Sequence, residues 1–250
     1  DYPNVDWQSS SANIIVLVES GKQYKVLTLT DCFEYDEKTY NYYGSYSFTG
    51  TKIEQAVVTA ILNVTTDDKV VVDMIKGNNE QDYSSLKTLL ENNAYQVNEV
   101  SLATGDFDSN AKIAIMYAPS VDLDEKIVEK LSTWLSNDGK YGRSLIYVPT
   151  ADMGEMPTLD DFLKEWGMSI DRGYVFETDE STLVSASSPY AFTVSYGDYY
   201  KDNLKNSKIP VVVSESHAVN ITDENTAHAL LKTCDKAGVL PIDADKNWDY

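Results

Sequence analysis

The feature that most constrains the fold is an alternation between helical and strand periodicity from residue 51 to residue 168. Apolar residues recur at three- and four-residue spacing in "TKIEQAVVTAILNV", which predicts an amphipathic helix with Thr51 as its cap. The runs "KVVVDMI", "AKIAIMYAP" and "RSLIYVP" are continuously apolar, as is typical of strands buried on both faces of a parallel sheet. Helices are predicted in "DYSSLKTLLENNAY", "DLDEKIVEKLSTWLSNDGK" and "TLDDFLKEWGM", and "YQVNEVSL" alternates as a strand. This order predicts an α/β fold with a mostly parallel sheet in three layers.

Three of the four predicted helices have an apolar face that we expect to be buried. The three expected faces are Ile53, Ala56, Val57, Ala60, Ile61 and Val64; Leu86, Leu89 and Leu90; and Ile127, Leu131, Trp134 and Leu135.

The segments on either side of this region are predicted to be β-rich. "NIIVLVESGKQYKVLTL" reads as a hairpin turning at Ser20-Gly21, and "YNYYGSYSF" as a third strand. In the last third, strands are predicted in "GYVFET", "TLVSAS", "AFTVSY" and "IPVVVSES", while "TDENTAHALLKTC" fits either a helix or a loop. We therefore expect a small β element over residues 1–50, docked on an α/β domain over residues 51–250.

The charge balance argues against nucleic acid and against an anionic membrane face as partners. The chain carries 40 acidic against 20 basic residues, a formal net charge of −20. A nucleic acid or an anionic membrane face needs a compensating basic surface, so neither is expected as a partner.

No stretch approaches the roughly 20 apolar residues of a membrane span. Because "DYPNVDW" contains neither an initiator Met nor a signal peptide, we expect the sequence to be a piece of a longer protein.

Cysteine and tyrosine usage favours an extracytoplasmic setting. Only two cysteines are present, Cys32 and Cys234; they could form one bridge, but two unpaired thiols are the favoured interpretation. The 18 tyrosines include the dense patches "TYNYYGSY" and "YGDYY". Exposed aromatic rings could stack on sugars or on a protein partner, and tyrosine-rich edge strands would explain them equally well.

The loop "IKGNNEQDYSSL" follows the first strand of the predicted sheet and is the main candidate site. It lacks the second Gly and the Lys-Ser/Thr pair of a P-loop, the glycines of a dinucleotide fingerprint and the pattern of a nucleophile elbow. Ligands of open α/β sheets bind at the carboxyl ends of the strands. The candidate ligand-binding residues are Asn78, Asn79, Glu80, Pro119 and Ser216.

A purely structural interpretation of the same loop stays open. In that interpretation Gly77 adopts a positive φ, and Asp82 or Ser84 caps the following helix.

No pattern of catalytic or metal-binding residues emerges, so neither an enzyme nor a cofactor is expected. His217 and His228 lack the spacing of a zinc site, and calcium loops of EF-hand spacing are absent. A triad could be drawn with Ser214 or Ser216, and Cys234 could serve as a nucleophile, but Cys234 has no base nearby in sequence. The clusters "DLDE", "TLDD" and "TDE" fall where helices are predicted to begin, which capping explains.

Several separated stretches resemble, in order, the auxiliary components of ABC transporters related to the gliding-motility protein GldG. In that family a strand ends in a "TGHGE"-like loop; here Gly77 and Glu80 match it, while Asn78 and Asn79 replace His-Gly. The resemblance runs from about residue 13 to residue 238. The other matching stretches are "IIVLVESGKQYKVL", "YSFTGTKIEQAVVTAILNVTTDDKVVV", "YSSLKTLLENNAYQVNEVSL", "IAIMYAPSVDLDEKIVEKLSTWLSNDGK", "MPTLDDFLKEWGMSI" and "LLKTCDKA".

The resemblance implies a fold of the flavodoxin or class I amidotransferase kind and a non-enzymatic binding domain. Such a domain would lie at the extracytoplasmic face of a bacterial membrane, tethered by segments outside this sequence, with the permease and ATPase subunits of an ABC transporter as partners. The family supplies no catalytic residues to transfer, and Cys234 stands where it often has Ser. The alternatives are a degenerate hydrolase and a carbohydrate-binding surface protein whose binding depends on Tyr42 and Tyr43.

Overall fold

A computed structural model describes residues 14–18, 23–150, 153–202, 204–206 and 208–245. The strands are β1 (Ile14–Val18), β2 (Gln23–Leu27), β3 (Phe33–Tyr35), β4 (Phe48–Thr51), β5 (Val71–Ile75), β6 (Gln96–Val100), β7 (Ala111–Tyr117), β8 (Ser144–Val148), β9 (Met168–Ile170), β10 (Gly173–Phe176), β11 (Leu183–Ser185), β12 (Ser188–Tyr196), β13 (Val211–Ser214), β14 (Val219–Ile221), β15 (Leu231–Lys232) and β16 (Gly238–Pro241). The helices are α1 (Leu29–Cys32), α2 (Glu37–Tyr43), α3 (Ile53–Thr65), α4 (Ser84–Asn92), α5 (Glu125–Ser136), α6 (Pro157–Glu165) and α7 (Asp198–Lys201), with a 3-10 turn over Asn137–Gly139.

The protein is a mixed α/β fold that contains a four-stranded, all-parallel sheet of order β6-β5-β7-β8. Small antiparallel sheets accompany it: β1-β2, β3-β4, β9-β14, β10-β16, and β12 with β11, β13 and β15. The predicted α/β class and parallel sheet are confirmed, and so is the hairpin, in which Val18 pairs with Gln23. The predicted turn at Ser20-Gly21 lies outside the described residues.

The described chain divides into two compact units. The first takes in residues up to 74, 82–100 and 107–114, and the second takes in residues 75–81, 101–106 and 115–245. The predicted organisation into residues 1–50 and 51–250 stays a prediction.

Burial follows the predicted periodicity in the centre of the chain. All five residues of β5 are buried, because the strand has a neighbour on each side and apolar side chains on both faces. In α5 the expected face of Ile127, Leu131, Trp134 and Leu135 is buried as a whole. Asp124 caps this helix by accepting a hydrogen bond from the Lys126 N–H at 2.9 Å.

The predicted burial of some residues is wrong, because a periodic pattern does not show which helices and strands are covered by other elements. Ile53, Ile61 and Leu89 were expected to face inward but are 38%, 47% and 59% exposed. β8 was expected to be buried on both faces, yet Ile146 is 48% exposed, since β8 lies at the edge of the sheet.

The predicted strand "YNYYGSYSF" is also wrong, because its first half is the end of helix α2. The Asp36 side chain accepts from the Lys38 N–H at 3.0 Å and so starts the helix, and Gly44, with φ of +68°, ends it. A strand begins only at Phe48. The segment "TDENTAHALLKTC", expected to be a helix or a loop, is a loop leading into the short strand β15.

A fully buried carboxylate joins the middle of β5 to its surroundings in the first unit. Asp73 Oδ1 accepts from Asn98 Nδ2 of β6 at 3.1 Å, and Asp73 Oδ2 accepts from the Asp108 N–H at 2.7 Å. Both carboxylate oxygens are therefore satisfied, which a buried charge requires. These bonds fix the loop before β7 against the β5-β6 pair.

Asp73→Ala should lower the free energy of unfolding by about 2 kcal/mol, because it leaves two partly buried N–H donors without their acceptor, at roughly 1 kcal/mol each, the lower end of the range for buried donors. Urea denaturation measures the change. The control is Asp68→Ala, which removes a carboxylate from an exposed turn just before the same strand and should change stability by less than about 0.5 kcal/mol. Equal losses for the two variants would contradict the assignment.

Candidate functional site

The candidate site lies where the sheet order reverses. The chain leaves β5 for β6 on one side and later adds β7 and β8 on the other, so the carboxyl ends of β5 and β7 form the topological switch point. Two loops leave this point: the β5 loop (residues 76–81) and the β7 loop (residues 118–124). Both loops belong to the second unit.

The β5 loop is closed by one of its own side chains. The carboxylate of Glu80 turns back and accepts hydrogen bonds from the N–H groups of Gly77 (to Oε2, 2.9 Å) and Asn78 (to Oε1, 2.9 Å). Gly77 has φ of +117°, a conformation that residues with a Cβ rarely adopt, so the predicted positive φ is confirmed. Consecutive backbone N–H groups are a common anion cradle, and here a carboxylate of the same chain fills it.

Asn78 fastens the β5 loop to the β7 loop. Its side chain is 6% exposed, and Nδ2 donates to the carbonyl oxygen of Asp122 at 2.9 Å and to that of Val121 at 3.4 Å. The backbone carbonyl oxygen of Asn78 accepts hydrogen bonds from the N–H groups of Ser120 and Val121, both at 3.1 Å. The buried Asn78 side chain therefore joins the two loops, and its Nδ2 is already hydrogen-bonded within the protein.

The side-chain bonds between Asn79 and Ser120 of the β7 loop involve more accessible groups. Asn79 is exposed and has φ of +53°; its Nδ2 donates to Ser120 Oγ, and Ser120 Oγ donates to the Asn79 carbonyl oxygen at 2.9 Å. Gln81 Nε2 donates to Thr150 Oγ1, beyond β8, at 2.8 Å. Asn79 and Ser120 are thus polar groups that a small ligand could reach at this edge.

Asp122 carries the connection from the β7 loop to helix α6. The helix begins at Pro157, with Met156 at the N-cap position. Met156 has no side-chain oxygen that could accept hydrogen bonds from the first backbone N–H groups of the helix. Asp122 supplies it, accepting from Thr158 N–H at 3.0 Å and Leu159 N–H at 3.1 Å. Burial acts to raise the pKa of Asp122, but these bonds and one from Leu123 outweigh it, so the pKa lies below its ordinary value.

The structure brings together four of the five predicted site residues. Asn78, Asn79 and Glu80 form the β5 loop, and Pro119, fully buried, lies in the β7 loop beside Ser120. Ser216 lies elsewhere in the second unit: its carbonyl oxygen accepts from the Val175 N–H of β10 at 2.8 Å. The N-cap position of α4 is Tyr83, which makes no side-chain cap bond; Asp82, one residue earlier, accepts from the Ser84 N–H at 3.0 Å.

Groups proposed for a hydrolase are engaged in other contacts. The His217 ring lies against the Tyr174 ring (centroids 6.0 Å apart), and the His228 ring stacks on Tyr199 (4.3 Å). Within the described residues, no hydrogen bond joins Ser214 or Ser216 to either histidine. The hydrolase alternative therefore gains no support from these contacts.

Cys234 is paired with a buried carboxylate that the sequence analysis missed. Its Sγ donates to Glu177 Oε2 at 2.9 Å, while Glu177 Oε1 accepts from the N–H groups of Thr178 and Asp179. The bond to Glu177, which is 1% exposed, raises the pKa of the thiol. A raised pKa disfavours the reactive thiolate. Both cysteines are free thiols, as the favoured interpretation predicted.

No group of three or more His, Cys, Asp or Glu side chains in the described ranges is arranged to hold a metal ion. Among the helices that the structure describes, none is long and apolar enough to cross a membrane.

Asp122→Ala should lower the free energy of unfolding by about 1–2 kcal/mol at neutral pH, since two N–H groups of α6 lose their acceptor. Because the folded-state pKa lies below the unfolded one, the carboxylate stabilises the fold above the unfolded pKa of about 3.9 and loses this effect as the pH falls through the folded-state pKa. The difference between the parent protein and the variant should therefore shrink on acidification, which urea denaturation at a series of pH values measures.

A matched control for this prediction is Glu155→Ala, which removes an exposed carboxylate close to the same helix start. It should leave stability nearly unchanged at every pH. A loss that is equal for the two variants, or one that does not depend on pH, would count against the cap.

Comparisons with known proteins show a likeness in structure and none in sequence. No protein-family model matches the chain, and no curated protein matches it in sequence. A solved structure described as "mmIFT52 N-terminal domain" is similar to this chain with a TM-score of 0.50 and 12% identity, covering 67% of this chain and 74% of that one. At this identity the likeness concerns the fold alone.

Proposed function

We propose that this chain is a non-enzymatic binding domain of an ABC-type transport system at the extracytoplasmic face of a bacterial membrane. In this proposal, segments outside the sequence tether it to the membrane, and the permease and ATPase subunits of the transporter are its partners. The proposed fold in full is a three-layer arrangement of the flavodoxin or class I amidotransferase kind.

The observation that carries the proposal is the partnership between Gly77 and Glu80. These are the two loop residues that match the GldG-like pattern, and they are joined by a hydrogen bond of 2.9 Å from the Gly77 N–H to Glu80 Oε2. A glycine that supplies φ of +117° and a glutamate that closes the loop make one structural device. Their joint occurrence in a strand-to-helix loop supports the resemblance more than two independent matches would.

The chemistry of the β5 and β7 loops favours binding over catalysis. Asn78, Glu80 and Asp122 each use their polar atoms on backbone groups of the chain, as their hydrogen bonds describe. Groups held in this way shape a surface, whereas a general acid or base must be able to exchange its proton with a substrate. A small polar ligand at this edge would be met by Asn79 and Ser120.

The test is affinity purification of the full-length protein, tagged at one end, from detergent-solubilised membranes of its own organism. The proposal expects an ABC ATPase and a permease to be retained in comparable amounts, as identified by mass spectrometry. An unrelated tagged membrane protein, purified in parallel, is the control. Recovery of the full-length protein from the soluble fraction, or from membranes without either subunit, would overturn the proposal.

A second candidate function, carbohydrate binding, is favoured by two exposed aromatic rings. Tyr42 and Tyr43 at the end of α2 are 81% and 73% exposed, and their ring centroids lie 4.7 Å apart at an angle of 69°. Exposed aromatic rings give sugars an apolar face on which to stack. Both rings keep most of their surface available to a ligand.

If this surface binds sugar, a glycan array probed with the full chain should detect binding that Tyr42→Ala or Tyr43→Ala abolishes, because each change removes a stacking face. The control is Tyr141→Ala, which removes a 59% exposed tyrosine from a different loop and should leave binding intact. An array without signal, or a signal that both α2 variants retain, would remove carbohydrate binding from consideration.

A further inference from the structure

A cavity of about 200 Å³ opens in the first unit, away from any residue considered so far as a site. Its walls come from β2, α1, the start of α3 and the end of α4. The residues that give it its chemistry are Lys25, Asp31, Lys52, Leu27, Ala60 and Leu89.

The cavity is positively charged in a strongly acidic chain. Only 20 of the 250 residues are Lys or Arg, yet Lys25 and Lys52 both line it. The carboxylate among the lining residues, Asp31, is already engaged: its Oδ2 accepts from Thr28 N–H and from Thr28 Oγ1, both at 2.8 Å. Two ammonium groups therefore face one carboxylate that is held in a helix cap.

The ammonium groups of the two lysines differ in the hydrogen-bond partners that the chain provides. Lys25 Nζ donates to the neutral amide oxygen of Asn92 at 3.0 Å. The half-buried Lys52 ammonium has no hydrogen bond or ion pair to another residue in the part of the chain that the structure describes. An anion at this place would give Lys52 a charged partner and Lys25 a second one, in a setting that is less screened than open solvent.

The floor of the cavity is apolar. Leu27 and Ala60 are 4% and 1% exposed and belong to a cluster with the buried Cys32, against which Ala56 and Val57 pack. Leu89 lines the cavity from α4 and is 59% exposed. A volume of about 200 Å³ is smaller than the roughly 300 Å³ at which pockets begin to hold drug-sized molecules.

We propose that this cavity binds a small aliphatic carboxylate. The carboxylate group lies between the ammonium groups of Lys25 and Lys52, and the short alkyl chain lies on Leu27, Ala56 and Ala60. The site is independent of the proposed transport function and of the β5 loop, so either can fail while the other stands.

The experiment is a titration of the ¹⁵N-labelled full chain with sodium butyrate at low ionic strength, followed by amide chemical shifts. Saturable shifts are expected at the amides of Lys52, Thr59 and Asn92, which border the cavity. Lys52→Gln should weaken the affinity by about tenfold, the effect of losing one charge-assisted hydrogen bond. Lys52→Arg keeps the charge and should keep most of the affinity.

Two controls separate recognition from a general charge effect. Lys140→Gln makes the same change of charge at an exposed position on another loop and should leave butyrate binding unchanged. A parallel titration with n-butanol, which has the alkyl chain without the charge, should give no saturation. Sodium chloride at equal ionic strength should not reproduce the shifts.

The proposal is overturned if butyrate causes no saturable shift at these amides, or if n-butanol or sodium chloride causes the same shifts. It is also overturned if Lys52→Gln and Lys140→Gln bind butyrate as the parent chain does. Urea denaturation of each variant shows whether it is folded. If Lys52→Gln fails to fold, the comparison is made between Lys25→Gln and Lys140→Gln, for which the same outcomes apply.

Discussion

The buried amide of Asn78 is the interaction on which the carboxyl edge of the sheet depends. Its side chain holds the carbonyl oxygens of Val121 and Asp122, and its backbone oxygen holds Ser120 and Val121, so the β7 loop cannot shift without breaking several bonds. The position of the β7 loop in turn places the Asp122 carboxylate at the start of α6. One asparagine thereby links the end of β5, the end of β7 and the beginning of a helix more than thirty residues further along the chain.

Part of the chain's acidic residues have a structural role, because their carboxylates accept hydrogen bonds within the fold. Asp36 and Asp124 cap their own helices, Asp122 caps a distant one, and Glu80 closes a loop. In each case a carboxylate accepts hydrogen bonds from backbone N–H groups that helix starts and loops leave without partners. A net charge of −20 therefore does not by itself imply a cationic ligand, since carboxylates that the fold uses in this way have fewer acceptor sites left for one.

The sequence predicted what depends on local periodicity and missed what depends on distant neighbours. The helix in "DLDEKIVEKLSTWLSNDGK" and its buried face could be predicted because one amphipathic pattern decides both. The exposure of Ile61 and Leu89 could not, since it depends on whether another element covers them. The candidate loop was located by its place after an apolar strand, whereas the bonds of Asn78 to the β7 loop and the Glu177–Cys234 pair join residues 42 or more positions apart. No local pattern encodes such partners.

The two places where an anion could bind differ in what they already hold. In the β5 loop, the backbone N–H groups of Gly77 and Asn78 are occupied by the carboxylate of Glu80, which is present at an effective concentration that a free ligand must exceed. In the cavity of the first unit, the Asp31 carboxylate accepts hydrogen bonds from Thr28, and the Lys52 ammonium has no hydrogen bond or ion pair among the described residues. A free carboxylate would displace a bonded group at the loop but would add a bond at the lysines. On this argument the Glu80 carboxylate occupies the N–H groups of the β5 loop as a bound anion would. The lysine cavity is therefore the better place for an anionic ligand from outside the chain.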